Sequence, residues 1–135
     1  MKSLRNARIL AIGLALVGGG TGIEAAPLSW SVIVNNGYDM PGTAAVKFNS
    51  YNQPSVNANG LVVFRARSKG SAGGGPVHGI YQRDMSGIAN PITEIVSRGD
   101  EVPQPNNTLY NGVLSDFQEF SSMPRIGNDS PLVAP

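Results

Sequence analysis

The sequence predicts an all-β fold, and three observations carry that prediction. Apolar residues come in short runs of strand length rather than at helical spacing. The 17 glycines and 10 prolines are spread along the chain and separate these runs. Asn-Gly and Asn-Asn-Gly sequences, which are typical of tight turns, stand at the ends of several of them.

The first 26 residues have the layout of a secretory signal peptide. A positive start carried by Lys2, Arg5 and Arg8 precedes an apolar stretch over 9–17, and small residues lead to Ala25-Ala26. The apolar stretch is shorter than the ~20 residues that a membrane helix needs. We expect cleavage after Ala25 or Ala26 and a secreted, periplasmic or cell-surface protein with no membrane span; an uncleaved N-terminal anchor is the alternative.

Charge and cysteine content narrow the class of protein. The chain has 10 basic and 9 acidic residues, and removal of 1–26 would leave seven basic and eight acidic ones. No basic patch remains to favour a nucleic-acid partner. The absence of cysteine excludes disulfides, thiol chemistry and a cysteine-linked lipid anchor.

The first half of the mature chain predicts two strands and a hairpin. A first strand is expected over 29–37, with Trp30, Val32 and Val34 on one face, and a short second strand over 44–48. Residues 53–57 are extended, with Pro54 at their start, where a missing N–H is tolerated. Asn59-Gly60 predicts a type I′ turn. The return strand, 61–67, is apolar on both faces at first and is expected at the centre of a sheet.

The second half predicts two further strands. Residues 69–79 are expected to be a flexible connection, 79–84 a strand and 86–91 a turn. The last strand, 92–98, alternates in polarity and is expected at an edge, with Glu94 and Val96 on the same face. Residues 99–116 are expected to be a loop.

Two segments of the chain resemble each other at a separation of about 70 residues. Phe48 matches Phe117, Tyr51 matches Phe120, Pro54 matches Pro124 and Val56 matches Ile126, while Val62-Val63 approximates Leu132-Val133. The spacing slips by one residue between the aromatic residue and the proline. The pattern predicts a repeat.

The order P-S-V-N-A-N-G-L-V-V-F, G-I-Y-Q-R-D and I-T-E-I-V resembles a blade of TolB-like β-propellers. It is similar also to long-period tandem repeats of secreted bacterial proteins, in which P-S-[IV]-N-x-x-G-x-V-x-F alternates with G-I-Y and G-x-x-V-P segments. Residues 99–103, GDEVP, fit the last of these. The resemblance covers about 48–134, although Asn59 stands where the propeller pattern usually has Asp.

The resemblance implies a blade-like antiparallel sheet and part of a second repeat. The expected parts are a signal peptide (1–26), N-terminal strands (27–47), a blade-like unit (48–116) and the start of a second repeat (117–135). Because one blade cannot bury both faces of its sheet, we expect a fragment of a longer protein. Assembly with another chain, or folding of 29–48 over the sheet, are the alternatives.

No residue pattern indicates catalysis. His78 is the only histidine, no Gly-x-Ser-x-Gly elbow accompanies it, and a loop position is expected for it. Gly73-Gly74-Gly75 lacks the Lys-Ser/Thr of a phosphate loop. Asp100-Glu101, with Asp84, Asp116 or Asp129, could offer oxygen ligands to calcium, but no EF-hand loop occurs and solvated carboxylates are expected. No cofactor is expected.

Six aromatic residues could form a carbohydrate-stacking platform, although packing between blades is the expected role: Tyr51, Phe64, Tyr81, Tyr110, Phe117 and Phe120. Asn106-Asn107-Thr108 and Asn128-Asp129-Ser130 match the N-glycosylation pattern, which has meaning only in a eukaryotic host.

The sequence therefore predicts an exported, non-enzymatic β-repeat scaffold or binding module with an unidentified protein or glycan partner, or with itself as partner. The alternatives are the N-terminal part of a secreted hydrolase and a self-associating surface protein. The residues expected to matter are structural: Pro54, Asn59 and Gly60 in the hairpin, Phe64, Ile80 and Tyr81 in the core, and Pro124 in the second copy.

Overall fold

The computed structural model describes residues 27–43, 45–70, 74–87, 90–128 and 133–134. These residues form strands and turns and no helix, so the all-β prediction is confirmed. Among them there is no helix of the length and hydropathy that a membrane crossing requires. The predicted signal peptide lies outside the described residues.

The described part of the chain contains seven strands, and all lie in the unit formed by residues 31–135. Their bounds are β1 Phe48–Tyr51, β2 Ser55–Val56, β3 Leu61–Ser68, β4 His78–Asp84, β5 Thr93–Ser97, β6 Arg125–Ile126 and β7 Val133–Ala134. The predicted strands at 53–57, 61–67, 79–84 and 92–98 correspond to β2 through β5.

The main sheet is antiparallel in the order β1-β3-β4-β5, and β2 pairs with the start of β3. Strands β1 and β2 thus form one interrupted edge along β3, bridged by a bond from the Asn52 amide to the Arg65 carbonyl at 3.0 Å. Strand β3 is central and β5 is the opposite edge, as the sequence predicts. Strands β6 and β7 form a separate two-stranded pair.

The predicted first strand over 29–37 is wrong. Trp30 is 91% exposed and Val32 57% exposed, and no strand runs through them. Ile33 and Val34 nevertheless pack against the core of the sheet. The apolar spacing therefore marks a packed segment whose backbone has no strand partner.

The turn between β2 and β3 differs from the predicted type I′ turn. Gly60 has φ 81°, but Asn59 does not have positive φ. The Gly60 amide donates to the Asn57 carbonyl at 3.1 Å, and the Asn57 carboxamide oxygen accepts from the amides of Asn59 and Leu61, each at 3.0 Å. The loop therefore has three residues, 58–60. The Asn57 side chain stabilises it, because its oxygen accepts hydrogen bonds from backbone amides that the loop would otherwise leave without a partner.

The predicted shared face of Glu94 and Val96 is also wrong. Tyr81 is opposite Glu94 and Ile80 is opposite Val96, with Ile95 as an extra residue between the two pairs. This bulge reverses the alternation, so that Glu94 and Val96 lie on opposite faces of β5.

Both faces of the sheet are covered by apolar residues. On the first face the buried residues are Met40, Phe48, Val62, Phe64, Ala66 and Tyr81. On the second face Val63 and Ile80 are buried with Phe120, and Phe117 and Ile126 pack against them. Segments before β1 and after residue 116 thus cover the two faces. The sheet is therefore less exposed than the sheet of a single blade is expected to be.

The two prolines of the predicted repeat lie in different environments. Pro54 is exposed and precedes β2, whereas Pro124 is fully buried and precedes β6. Each is followed by a two-residue strand that pairs antiparallel with the next strand along the chain. Gly60 forms the loop of the first of these pairs, and Phe64, Ile80 and Tyr81 are buried in the main sheet.

Candidate functional site

A short hairpin precedes β1 and covers the first face of the sheet. The Met40 amide donates to the Val46 carbonyl at 2.8 Å, and the Phe48 amide donates to the Tyr38 carbonyl at 3.2 Å. Asp39 and Lys47 lie opposite each other between these two bonds. In this non-hydrogen-bonded type of pair the side chains are at their closest.

A second hairpin with the same backbone pattern begins at Gly99. The Val102 amide donates to the Ser115 carbonyl at 2.9 Å, and the Phe117 amide donates to the Asp100 carbonyl at 2.8 Å. Glu101 and Asp116 lie opposite each other between the two bonds. As predicted, no strand lies within 99–116 among the described residues, but the two ends of this loop pair through the isolated bridge between Glu101 and Asp116.

The facing pair of side chains differs in charge between the hairpins. In the first, the Lys47 ammonium lies 2.7 Å from the Asp39 carboxylate. In the second, two carboxylates, Glu101 and Asp116, face each other, and neither has an ion pair within the described part of the chain. Like charges directly opposite each other destabilise a strand pair.

The second hairpin has a longer connection, twelve residues (103–114) against five (41–45). A single buried side chain holds its base: the Asn107 amide nitrogen donates to the carbonyls of Val102 and Ser115, and its oxygen accepts from the Ser115 amide, all at 2.9 Å. Asn107 is only 4% exposed. The connection is thus tied to the ladder by three hydrogen bonds.

The tip of this connection is a tight turn with apolar neighbours. Asn111 and Gly112 have φ of 52° and 77°, and the amides and carbonyls of Tyr110 and Val113 bond each other at 3.0 and 3.1 Å. Positive φ at both central residues is typical of a type I′ turn, the turn type that the sequence predicts at a different place, Asn59-Gly60. Three large apolar side chains are exposed here: Leu109 at 67%, Tyr110 at 78% and Val113 at 67%.

A groove of about 420 Å³ separates the base of the second hairpin from the sheet. Two carboxylate residues, Asp100 and Glu101, line it on the hairpin side. The rest of its wall is apolar and consists of Ile80, Ile95, Val96, Pro103, Phe117 and Phe120. We refer to it as the acidic groove. Asp100 is held in place by bonds from the Ser97 amide at 2.6 Å and hydroxyl at 3.3 Å.

A charged cluster joins the second face of the sheet to the segment that covers it. His78 is the first residue of β4 and is 6% exposed, so its predicted loop position is wrong. Glu119 forms an ion pair with Arg65, and its Oε1 lies 3.7 Å from Nδ1 of His78. Burial lowers the pKa of His78, with further lowering by nearby arginines and an opposing effect of Glu119.

The pKa of the Glu119 carboxyl is lowered, first by the hydrogen bond from the Phe120 amide and then by Arg65 and His78. Nδ1 of His78 has no hydrogen-bond partner among the residues that the structure describes. The ring of Phe120 stands edge-on to the imidazole, with centroids 5.8 Å apart. The arrangement packs two segments of the protein together.

The first hairpin also borders a cleft of about 540 Å³, whose charged lining residues are Asp39 and Arg83. Arg83 donates to the carbonyls of Val32, Ile33 and Asn90, and lies 5.5 Å from the centre of the Tyr38 ring. Arg83 therefore fixes residues 32–38 on the sheet.

The carboxylates considered for calcium do not converge. Asp84 accepts from the amide and hydroxyl of Ser86, and this lowers its pKa. Among the described residues no three Asp, Glu or His side chains are placed to hold a metal ion. Asp129 lies outside the described residues.

The aromatic residues are distributed over both faces. Phe64 and Tyr81 are buried with Phe48, whose ring meets Tyr81 edge-on at 5.1 Å. Phe117 and Phe120 stack at 5.6 Å on the opposite face. Tyr51 and Tyr110 are exposed. The six do not form one stacking surface.

The glycosylation patterns fall at two sites with different roles. Asn106 is exposed, next to the buried Asn107. The Asn128 side chain accepts a bond from the Ala58 amide at 3.2 Å, so it ties the segment around β6 to the loop between β2 and β3.

The chain belongs to a protein family of unknown function (DUF7453), whose family model matches residues 29–129. The match includes both hairpins and the main sheet. No curated protein and no solved structure matches the chain.

Proposed function

We propose that this protein is an exported, non-enzymatic β-repeat module that serves as a scaffold or binding domain. The two hairpins support the proposal most strongly. They share one hydrogen-bonding pattern and pack on opposite faces of the same sheet. Such an arrangement is expected when each repeat covers the face left open by its neighbour.

The shared pattern also favours an earlier start for the second copy than Phe117. Gly37 and Pro41 have the same spacing as Gly99 and Pro103. Each pair flanks the first arm of its hairpin. The matched residues that begin at Phe48 in the first copy begin at Phe117 in the second. On this basis the repeating unit begins at Gly37 and again at Gly99.

A scaffold role is supported by what the polar residues do. His78, Arg83, Asn107 and Asp100 are each bonded or packed within the protein. The acidic groove and the exposed tip 109–113 offer surface that suits contact with another molecule.

The test combines unfolding with an assay for hydrolysis. We expect the chain to unfold in one cooperative transition, and apolar-to-polar substitutions at Phe48 and at Phe120, one on each face, to lower its midpoint. We expect no hydrolysis of ester, peptide or glycoside substrates above that of His78→Gln and Glu119→Gln. Hydrolysis that either substitution abolishes would establish the enzyme alternative instead.

Export is tested separately. We expect the protein expressed with its native N-terminus in a Gram-negative host to be recovered outside the cytoplasm, beginning at Ala26 or Pro27. Recovery of the intact N-terminus in the membrane fraction would favour the uncleaved anchor.

A further inference from the structure

We propose that His78 and three arginines at one end of the main sheet bind a doubly charged oxyanion, sulfate or phosphate, either free or as an ester on a sugar. The inference rests on the proposed binding role and names its ligand class. It starts from the backbone pairing where β4 begins, because this pairing decides which side chains share a face of the sheet.

A row of three basic residues crosses the second face of the sheet. Arg67 on β3 is opposite His78 on β4. On the other side of His78, the amide of Arg98, which directly follows β5, donates to the His78 carbonyl at 2.9 Å. Residues opposite each other in antiparallel strands have side chains on the same face, so the three side chains are neighbours. Arg65, two residues before Arg67, lies on this face as well.

The charges of all three arginines act on the imidazole. Burial lowers the pKa of His78 and the Glu119 carboxylate raises it, whereas Arg65, Arg98 and Arg67 each lower it. The three guanidinium groups are therefore close to the ring. We refer to these three arginines and His78 as the basic cluster.

The basic cluster has more positive than negative charge. In the described part of the chain one acidic residue, Glu119, forms an ion pair with it, through Arg65. Arg67 and Arg98 are exposed, and neither has an ion pair among the described residues. Like charges on facing strands destabilise the pairing. A bound anion would remove this cost.

The donors of the basic cluster suit an anion with several oxygens. Nδ1 of His78 lacks a hydrogen-bond partner among the described residues, and a neutral imidazole can donate from this nitrogen. Arg67 donates from Nε to the Ser50 hydroxyl at 2.8 Å, which holds its guanidinium in place. A guanidinium binds sulfate or phosphate through parallel N–H donors.

Glu119 occupies part of this site. Its Oε1 contacts Arg65 and lies 3.7 Å from Nδ1 of His78, so this oxygen marks where an oxygen of the ligand would lie. The Glu119 side chain is 68% exposed and can turn toward solvent, at the cost of its bond from the Phe120 amide. A doubly charged anion attracts the arginines more strongly than one carboxylate does. Glu119 is therefore a competitor that the ligand displaces.

The test uses the ring signals of His78, the only histidine of the chain, in proton NMR spectra at pH 7.5 and constant ionic strength. We expect saturable shifts of these signals with sodium sulfate and sodium phosphate, and no saturable shift with sodium chloride. Glucose 6-sulfate distinguishes the two sources of the anion. Tighter binding of the ester than of inorganic sulfate indicates a group carried by a sugar, and equal or weaker binding of the ester indicates a free anion.

Three substitutions locate the site. Arg98→Gln should weaken sulfate binding about tenfold, because a charged donor is lost. Glu119→Gln removes the competing charge but keeps an oxygen for the Phe120 amide, so it should strengthen binding about threefold or more. Arg125→Gln removes the same charge as Arg98→Gln from an exposed position on β6, outside the basic cluster, and should leave binding unchanged.

The absence of a saturable shift with either anion, an equal shift with chloride, or equal sulfate affinity in Arg98→Gln and Arg125→Gln would overturn the inference. Weaker binding in Glu119→Gln would also overturn it, because Glu119 would then support the site instead of competing for it. A cooperative, non-hydrolytic protein that binds no anion would leave the scaffold proposal intact.

Discussion

The Nδ1 atom of His78 lies 3.7 Å from Oε1 of Glu119, and these residues join strand β4 to the segment that covers the second face of the sheet. The imidazole is nearly buried, while the carboxylate is exposed and pairs with Arg65. The histidine is neutral in the folded state over a wider pH range than in the unfolded chain, because burial lowers its pKa.

Acidification should therefore destabilise the protein through His78. The unfolded histidine binds a proton near pH 6.5 and the folded one only at lower pH, so the unfolded state gains protons first. The contribution is fully present above about pH 6.5 and is lost as the pH falls toward the lowered folded value. Urea unfolding at pH 7.5 and 5.5 should show a larger loss for the native chain than for His78→Gln.

The comparison with His78→Gln is needed because Glu94 acts in the opposite sense. Burial raises the pKa of its carboxyl, so that its protonation on acidification favours the folded state. This contribution is common to both proteins and cancels in the difference. An equal pH dependence of the native chain and His78→Gln would show that His78 does not titrate in the expected direction.

Of the two predicted turn residues between β2 and β3, Asn59 should be replaceable by alanine and Gly60 should not. Gly60→Ala forces an alanine to φ 81° and brings its Cβ to 3.3 Å from the Ser86 amide nitrogen, which should cost about 1–2 kcal/mol of unfolding free energy. Asn59→Ala should change it by less than about 0.5 kcal/mol. A comparable loss in both, measured by urea unfolding, would favour the two-residue type I′ turn.

Asn107 should be the most sensitive residue of the second hairpin. Asn107→Ala removes three hydrogen bonds, and the Val102 carbonyl and the Ser115 amide lose the partner that this side chain provides. We expect a loss of about 1–3 kcal/mol of unfolding free energy. The adjacent and exposed Asn106 is the control, and its replacement by alanine should have an effect below about 0.5 kcal/mol. Equal effects would mean that the three bonds do not support the hairpin.

Strands β4 and β5 approach each other too closely at Gly79 for a larger residue. A Cβ there would lie 2.5 Å from the Val96 carbonyl oxygen and 3.0 Å from the Ser97 Cα. Gly79→Ala should therefore displace the edge strand at a cost of about 1–3 kcal/mol. At Gly75 the nearest atom is the flexible end of Arg98, so Gly75→Ala is the control. A thermal midpoint for Gly79→Ala equal to that of Gly75→Ala would contradict the close approach.

The sequence predicts the main sheet well because local signals and tertiary packing agree there. Val62, Val63 and Phe64 are apolar on both faces, and their strand is central. The sequence predicts the backbone less well where contacts between distant segments determine its conformation. The spacing in 29–37 suits a strand, but Arg83 binds the carbonyls of Val32 and Ile33 in place of a strand partner.

The acidic groove is absent from the sequence prediction for a physical reason. Its walls come from β4, β5 and the second hairpin, and the bulge at Ile95 decides which side chains of β5 face it. A bulge has no reliable local signature. The two hairpins share Gly-x-x-x-Pro at 37–41 and 99–103, but the same spacing occurs at 87–91 and 127–131, so this pattern alone does not identify a hairpin.

The equivalence of the two hairpins is tested most directly by amide hydrogen exchange measured by NMR. The amides of Met40, Phe48, Val102 and Phe117 each donate to a carbonyl across a hairpin, so all four should exchange far more slowly than the unpaired amide of Leu109. Protection of Met40 and Phe48 together with unprotected Val102 and Phe117 would contradict the second hairpin, and with it the repeat on which the proposed function rests.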